Sequence, residues 1–430
     1  MRPHHRTVRC ATVLALCAVA ATSWAQAPES ELPPEPGQFE GATLPRGRGL
    51  GLPEVSDRRQ AQNQVEERGF TLKPGLVLLA DYTFVNQDAT SIAQVGQQED
   101  EFQPRAARLL LRGTLGTTYQ VRYLVAGEYK GFDGAPDRNW DMTDVSLTFP
   151  LRGPDTTLTV GKTKQTHVYE MVGDAANLPQ QERVLNPFFA SRSVGLRLNH
   201  VASDRRSTFA IGIYNDSWAG SSSTQANDGT DVTARATHAL WLADGGRRVM
   251  HLGASVRYWG ADGGTLRYRG RPESNVLDYF VDTGAFAADH ALHGGLEALW
   301  QSGPFAVLAE AVVAKVDAPA SGDPRFDGAY VTLSWFVTGE QRPYDPVAGY
   351  ARRVKVDADH GALELVARLS HVDLDDAGIS GGRFDKSYLG VNWWATNHWK
   401  FGAGWGRTWL RADGGRGRTD ALLLRAQWVY

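Results

Sequence analysis

The chain has 430 residues and a formal charge of −3, with 13 Trp, 14 Tyr and 46 Gly beside only 4 Met and 2 Cys. Its mean hydropathy of −0.34 and the lack of any run near the roughly 18 apolar residues of a spanning helix argue against a helical membrane protein. The mildly acidic balance does not suggest a nucleic-acid binder, and many glycines and aromatics favour strands over helices.

In chain order, the first readable element is a secretory signal. Arg2, Arg6 and Arg9 precede a short apolar core, CATVLALCAVAA (10–21), and Ser23-Trp24-Ala25 ends in small residues at the last and third-last positions. That pattern predicts a signal peptide over 1–25 with cleavage after Ala25. The core is too short for an anchor helix, and Leu16 before Cys17 is too large for lipoprotein processing. Both cysteines, Cys10 and Cys17, lie in this segment. A mature chain without them has no disulfide, thiolate metal site or cysteine nucleophile. Residues 26–69 are rich in Pro, Gln, Glu and Arg and lack an apolar period. They read as a polar periplasmic leader, disordered or with a short helix near 56–67.

From residue 70 to 430 the texture is that of one domain. Segments of about ten residues alternate apolar and polar positions between turn residues, as the strands of an outer-membrane barrel do. In YQVRYLVAGEYK, Tyr119, Val121, Tyr123, Val125 and Tyr129 oppose Gln120, Arg122, Ala126, Glu128 and Lys130. In VMHLGASVRYW, Met250, Leu252, Ala254, Val256 and Tyr258 oppose His251, Ser255 and Arg257. In WKFGAGWGRTW, Trp399, Phe401, Ala403, Trp405 and Trp409 oppose Lys400, three glycines and Thr408. Strands are predicted to start near 71, 102, 119, 142, 156, 191, 206, 231, 248, 291, 304, 326, 361, 384, 398 and 419. Short connections then alternate with long ones, the long ones near 86–101, 131–141, 163–190, 216–230, 262–290, 317–325, 375–383 and 412–418. One connection, 339–360, is long where a short turn is expected. A soluble sandwich also has many strands, but it would not set Arg, Lys and Glu at mid-strand opposite faces that end in Tyr and Trp. The fold class expected is all-β, a transmembrane antiparallel barrel of about 16 strands.

If the apolar parity faces lipid, the other lines the bore. That places Arg108, Arg112, Arg122, Lys130, Arg197, Arg235, Arg257, Arg368, Lys386, Lys400 and Arg425 inside, with fewer acids: Asp81, Glu128, Asp144, Glu297, Glu310 and Glu364. Rings of basic side chains favour anions. The plainer alternative is that these cations pair with the acids and hydrate the wall. The long segment KTKQTHVYEMVGDAANLPQQERVLNPFF (162–189) exceeds a simple turn and is expected to fold inward, carrying Lys162, Lys164, His167 and Arg183 into the constriction. No serine–histidine motif, P-loop, dinucleotide fingerprint or zinc spacing is present, and His290 with His293 is at best a weak metal candidate. No cofactor is expected. An outer-membrane hydrolase would need a Ser–His pair meeting at one spot on the barrel wall. The last segment, ALLLRAQWVY, reads as a final spanning strand. Leu422, Leu424, Ala426, Trp428 and Tyr430 are expected to face lipid or a neighbouring subunit, and Arg425 and Gln427 to face water.

Several blocks from residue 71 onward resemble the phosphate-selective porin O/P family of Gram-negative outer membranes. They are FQPRAARLLLRGTLG (102–116), LTVGKTKQ (158–165) with QER (181–183), FVTGEQRPYD (336–345), GALELVARLSHVDLDD (361–376), LGVNWWATNHWKFGAGW (389–405) and the terminal LRAQWVY. The resemblance implies a sixteen-stranded, trimeric, anion-favouring channel of the outer membrane, in contact with lipid and lipopolysaccharide, whose third long loop enters the bore. The terminal aromatic resembles the signal read by the barrel assembly machinery, which assigns that role to Trp428 and Tyr430. Arg105 matches the first of the family's paired arginines, while Ala106 stands at the second, with Arg108 two places on. Leu76 and Met171 (after Glu170) stand where the family has a basic residue. These departures weaken strict phosphate selectivity and leave the channel expectation intact; the alternatives are a non-selective porin and a plugged structural barrel.

Overall fold

The structure is a computed structural model that describes residues 65–67, 69–129, 140–151, 155–215 and 229–430. The expected signal peptide, the leader before Val65 and the pore-lining candidate Lys130 lie outside the described residues.

Sixteen strands run antiparallel: β1 (Phe70–Gln87), β2 (Glu101–Leu115), β3 (Val121–Tyr129), β4 (Trp140–Pro150), β5 (Thr156–Lys164), β6 (Arg192–Val201), β7 (Ser207–Asn215) and β8 (Thr230–Ala243), then β9 (Arg248–Gly260), β10 (His290–Ser302), β11 (Phe305–Asp317), β12 (Arg325–Phe336), β13 (Ala362–Asp376), β14 (Ile379–Trp394), β15 (Trp399–Ala412) and β16 (Gly415–Val429). Each pairs with the next, and β16 pairs back onto β1 from Val77↔Val429 to Gln87↔Thr419, so the sheet closes. Closure is what lipid demands, because an unpaired edge would leave backbone groups without partners. Val65–Glu67, at the end of the leader expected to be disordered or to hold a short helix, form a short strand that folds back on Phe70–Leu72.

The period of two decides the faces. On β9 the outward Leu252, Val256 and Tyr258 are exposed, while His251, Ser255 and Arg257 are buried. The same division holds on β15 and β16, where Trp399, Phe401, Trp405 and Leu422 are exposed and Lys400, Thr408, Arg425 and Gln427 are buried. Trp428 and Tyr430 stack at 5.9 Å, and Tyr430 also stacks on His398 at 5.9 Å, as part of an aromatic edge with Trp399 and Phe401.

All but two strand starts fall within two residues of the expectation. The exceptions, β14 and β16, begin earlier than their expected 384 and 419. Two connections expected to be long are in fact tight turns, Ala377-Gly378 and Asp413-Gly414. Asp413 (φ 51°) and Gly414 (φ 74°) are both left-handed, the geometry that matches the twist of a two-residue hairpin. GRGRT therefore continues the strand instead of looping.

Among the described residues three connections enter the barrel where one was expected. Residues 165–191 and 261–289 come from the long-loop mouth, and 337–361 from the other. Val168, Met171, Leu185 and Phe188 of the first pack with Tyr268, Leu277 and Phe280 of the second and with Phe326 of β12. Burying Leu185 and Phe188 completely contributes about 1.5–3 kcal/mol each. The third forms a small hairpin, Tyr344–Asp345 against Tyr350–Ala351, with Tyr344 packed on Ala239, Val249 and Leu299. Inserts from opposite mouths meet where the Ala351 amide donates to the Tyr169 hydroxyl at 2.8 Å.

Candidate functional site

Parity aims the wall's cations inward, and the inserts then decide what each one meets. On the side lined by β8 to β16 nearly every cation finds a carboxylate. Arg235 donates to Glu297 (Nε, 3.0 Å) and to the Gly349 carbonyl of the third insert (2.7 Å). Arg257 donates to both oxygens of Asp231 at 3.2 and 3.0 Å and lies over Trp259. Arg368 donates to Glu170 of the first insert at 2.7 Å, to Glu273 of the second and to Thr332 at 2.9 Å, with its guanidinium 3.8 Å from the Tyr330 ring centre. Lys386 donates to the Pro272 carbonyl at 2.6 Å and lies 3.3 Å from Glu273. Arg342, on the third insert, takes both oxygens of Glu364 at 2.8 and 2.9 Å. Lys400 donates to the Leu178 carbonyl at 2.7 Å. Arg425 bridges Asp81 on β1 (2.7 Å twice) and Glu182 (2.9 Å).

One wall acid serves a loop in place of a cation. Glu310 accepts from the Glu170 amide at 3.1 Å, from the Tyr169 amide and from the Tyr330 hydroxyl at 3.0 Å. These amides open the one-turn helix Tyr169–Val172, whose first N–H groups have no partner within the helix. A carboxylate on the wall thus seats the inward loop.

The side lined by β1 to β6 is different. A cavity of about 160 Å³ remains there, lined by Arg105, Arg108, Lys162, Lys164, Arg183 and Arg192 against the carboxylates Glu128, Asp141 and Asp174. Arg108 donates to Glu128 (Nε, 2.9 Å) and Arg192 to Asp144 at 2.8 Å. Lys162 is only loosely held, 3.9 Å from Asp141. Lys164 donates to the Gly173 carbonyl at 2.8 Å, and Arg183 to the same oxygen at 3.1 Å. Arg197 meets the Lys164 carbonyl at 3.0 Å and no carboxylate among the described residues. Arg122 stands half-buried on β3 without a hydrogen-bond partner among the described residues, and Arg112 is half-buried on β2.

Arg105 reaches this lane through a local irregularity. Leu79 pairs with Ala106 and Ala80 with Pro104, so Arg105 is the extra residue of a β-bulge. Its odd parity would otherwise put it with Leu109 and Leu111 on the lipid face. The bulge re-aims it, and it donates to Glu182 at 2.7 and 3.2 Å. Burial pushes the Glu182 carboxyl up, but Arg105 and Arg425 more than offset this and hold it at about 2.

Several expectations change. His167 does not project into a constriction: it is fully buried with its ring 6.0 Å from His293. Burial and the nearby Arg257 hold its imidazole down at about 3. His290 and His293, an odd spacing apart on β10, point to opposite faces. His290 is outside beside Asp317 (3.5 Å), and His293 is inside against the Tyr268 hydroxyl (3.1 Å), so they cannot share a metal. A Ser–His pair does occur, with Ser207 Oγ 2.9 Å from His238 Nδ1, at the short-turn rim. Asp204 accepts from the serine at 2.8 Å, not from the histidine, so among the described residues no acid orients the imidazole as a base. The family's missing basic positions are apolar here too: Ala106 and Met171 are buried in hydrophobic clusters. Arg192, Arg342, Glu170, Glu182 and Glu273 are participants that parity alone did not single out. Arg192, at the first position of β6, is an odd spacing from the inward Arg197 and so out of phase with it, and Glu182 lies in the QER block.

Comparison with known proteins agrees with this architecture. Residues 80–430 match the family described as phosphate-selective porin O and P. Porin O of Pseudomonas aeruginosa is 26% identical over 216 residues, 42% of this chain and 49% of that protein. A Caulobacter vibrioides protein of no assigned function is 30% identical over 191 residues, 42% of this chain and 37% of its own. The matches thus span less than half the length of these relatives. Among solved structures, the outer-membrane channel DcaP of Acinetobacter baumannii superposes with a TM-score of 0.54 at 12% identity, over 88% of this chain and all of its own. An anion-selective porin from Comamonas acidovorans gives 0.51 at 13% (84% and 100%), and a trimer form of OmpT from Vibrio cholerae 0.52 at 10% (84% and 100%).

Proposed function

The chain belongs to the phosphate-selective porin O and P family, and from that membership we propose an outer-membrane porin through which small anions diffuse passively. Phosphate and polyphosphate are the narrower candidates. The observation that carries the reading is the excess of cations around the cavity beside β1 to β6. Loosely held or unpaired charges such as Lys162 and Arg122 raise the local anion concentration without binding tightly enough to stop release. No covalent step is needed, and proteins of this family and fold act as channels. The short-turn mouth then faces the periplasm and the long-loop mouth the exterior. The trimeric neighbour supports a homotrimer, and Trp428 with Tyr430 would present the aromatic end read by the assembly machinery.

Planar-bilayer reversal potentials under a KCl gradient test the anion preference, and clear potassium selectivity would overturn it. Millimolar phosphate should reduce chloride current if phosphate is a substrate. A second reading, a plugged structural barrel, draws on the three inserts that fill the other side of the bore. Absence of single-channel steps would favour it.

A further inference from the structure

Outside the barrel, β14, β15 and β16 carry a pattern that the pore does not use. Leu389, Trp405 and Leu422 lie in one row across these strands and close the apolar band. Two residues further toward the long-loop mouth the row is Ser387, Arg407 and Asp420. The next is Asp385, Trp409 and Arg418, and the last is Arg383, Arg411 and Arg416. Directly opposed residues share a face, and like charges so placed repel. Three arginines in register on adjacent strands, about 4.8 Å apart, are therefore a costly arrangement for a sheet to hold without a counter-charge.

The chain supplies few counter-charges. Asp420 takes Arg407 at 2.7 and 3.2 Å and leaves Arg418 3.6 Å away. Arg383 is 3.7 Å from Asp373. Arg411 and Arg416 have no carboxylate partner among the described residues. Toward β12 the outward face at this height is mixed, with Arg325 and Asp327 and with His371 held by Asp385 at 2.7 Å. Three outward cations meet in register here, whereas on β11 and β12 only two do, Lys315 opposite Arg325. Trp409 sits in the row beside the three arginines, an amphipathic ring at the depth where bilayer and headgroups meet.

We infer that this face binds the phosphorylated headgroup of an outer-leaflet glycolipid. Acyl chains would lie on the Leu389–Trp405–Leu422 band, and phosphate oxygens would accept from Arg383, Arg411 and Arg416. Guanidinium forks match phosphate oxygens two at a time, and one headgroup with more than one phosphate would neutralise the row that repels itself. The inference rests on the outer-membrane reading only for which leaflet supplies the lipid; it is independent of what the pore conducts.

Native mass spectrometry of the whole barrel in mild detergent tests it. The probes are a diphosphorylated, multiply acylated glucosamine disaccharide, the same lipid without phosphates, and inorganic phosphate alone. The phosphorylated lipid should be retained at least tenfold better than the other two. Arg411→Gln with Arg416→Gln should lose that difference, Arg411→Lys with Arg416→Lys should weaken it partly, and Arg325→Gln should leave it unchanged. Heat-modifiable migration shows that each variant is folded. Equal retention of the dephosphorylated lipid, equal binding of free phosphate, or full retention by the glutamine variant would overturn the inference. So would loss of oligomers in that variant without any lipid present, which would assign the face to a second copy. Conductance measured on the same samples separates this result from the porin reading: lipid retention without channel steps would sink only the latter.

Discussion

The two halves of the barrel interior use the same residues for opposite ends. Between β8 and β16 an arginine is a strut: Arg235, Arg257 and Arg368 each hold a carboxylate, and Arg235 and Arg368 also hold a loop. Between β1 and β6 the first insert touches the wall through Glu182, Gly173 and Ala176 but leaves a cavity that cations line in excess of acids. Parity is identical in both halves. What differs is how far the inserts fill the space around the guanidinium, so inward charge marks a pore only where the lumen stays empty.

That contrast can be broken most severely at Arg368. Arg368→Met strands Glu170 and Glu273 without their shared cation, which should cost about 3–5 kcal/mol. Urea unfolding in detergent would read it, and unchanged stability would mean that the filled half is not built on these struts. Glu310→Gln removes the charged acceptor of the Tyr169 and Glu170 amides and the Tyr330 hydroxyl. A loss of about 1–3 kcal/mol is expected, with noisier single-channel traces as the first insert loosens.

On the open half the expectation inverts. Lys162→Gln combined with Arg122→Gln should shift the reversal potential toward the cation side while stability changes by no more than about 0.5 kcal/mol. A stability loss like that of Arg368→Met would erase the distinction between the halves. The mildest effect is set by pH. Glu182 is held at about 2 by Arg105 and Arg425 against the cost of burial. A depressed carboxyl contributes stability that is complete above its unfolded value, near 4.3, and is lost as pH falls through about 2. The stability difference between the wild type and Glu182→Gln, read by unfolding in detergent, should be constant from neutrality down to about pH 5 and shrink only as the solution approaches that lower value.

The strands were legible because period-two alternation is a local signal repeated sixteen times. Leu252, Val256, His251 and Arg257 declare their faces without reference to any distant residue. The struts were not legible. Glu170 meets Arg368 across a separation of 198 residues, and nothing in either segment specifies the other. Arg105 was named for its place beside Ala106, yet only the bulge at Leu79/Ala80 brings it to the lumen side. The turns at Ala377 and Asp413 were misread as long because polar residues that continue a strand beyond the bilayer look like loop.

Arg425 gives the molecule an order of events. It lies on β16, pairs with Asp81 across the strand that completes the ring, and with the same guanidinium holds Glu182 and the Gln181 carbonyl of the first insert. The contact spans 344 residues, so it belongs to the slowest-found part of the topology. Joining the first and last strands and docking the insert share one cation, and each lowers the cost of the other. Partly joined rings with a withdrawn insert should therefore be scarce, and ring closure should leave the channel already narrowed.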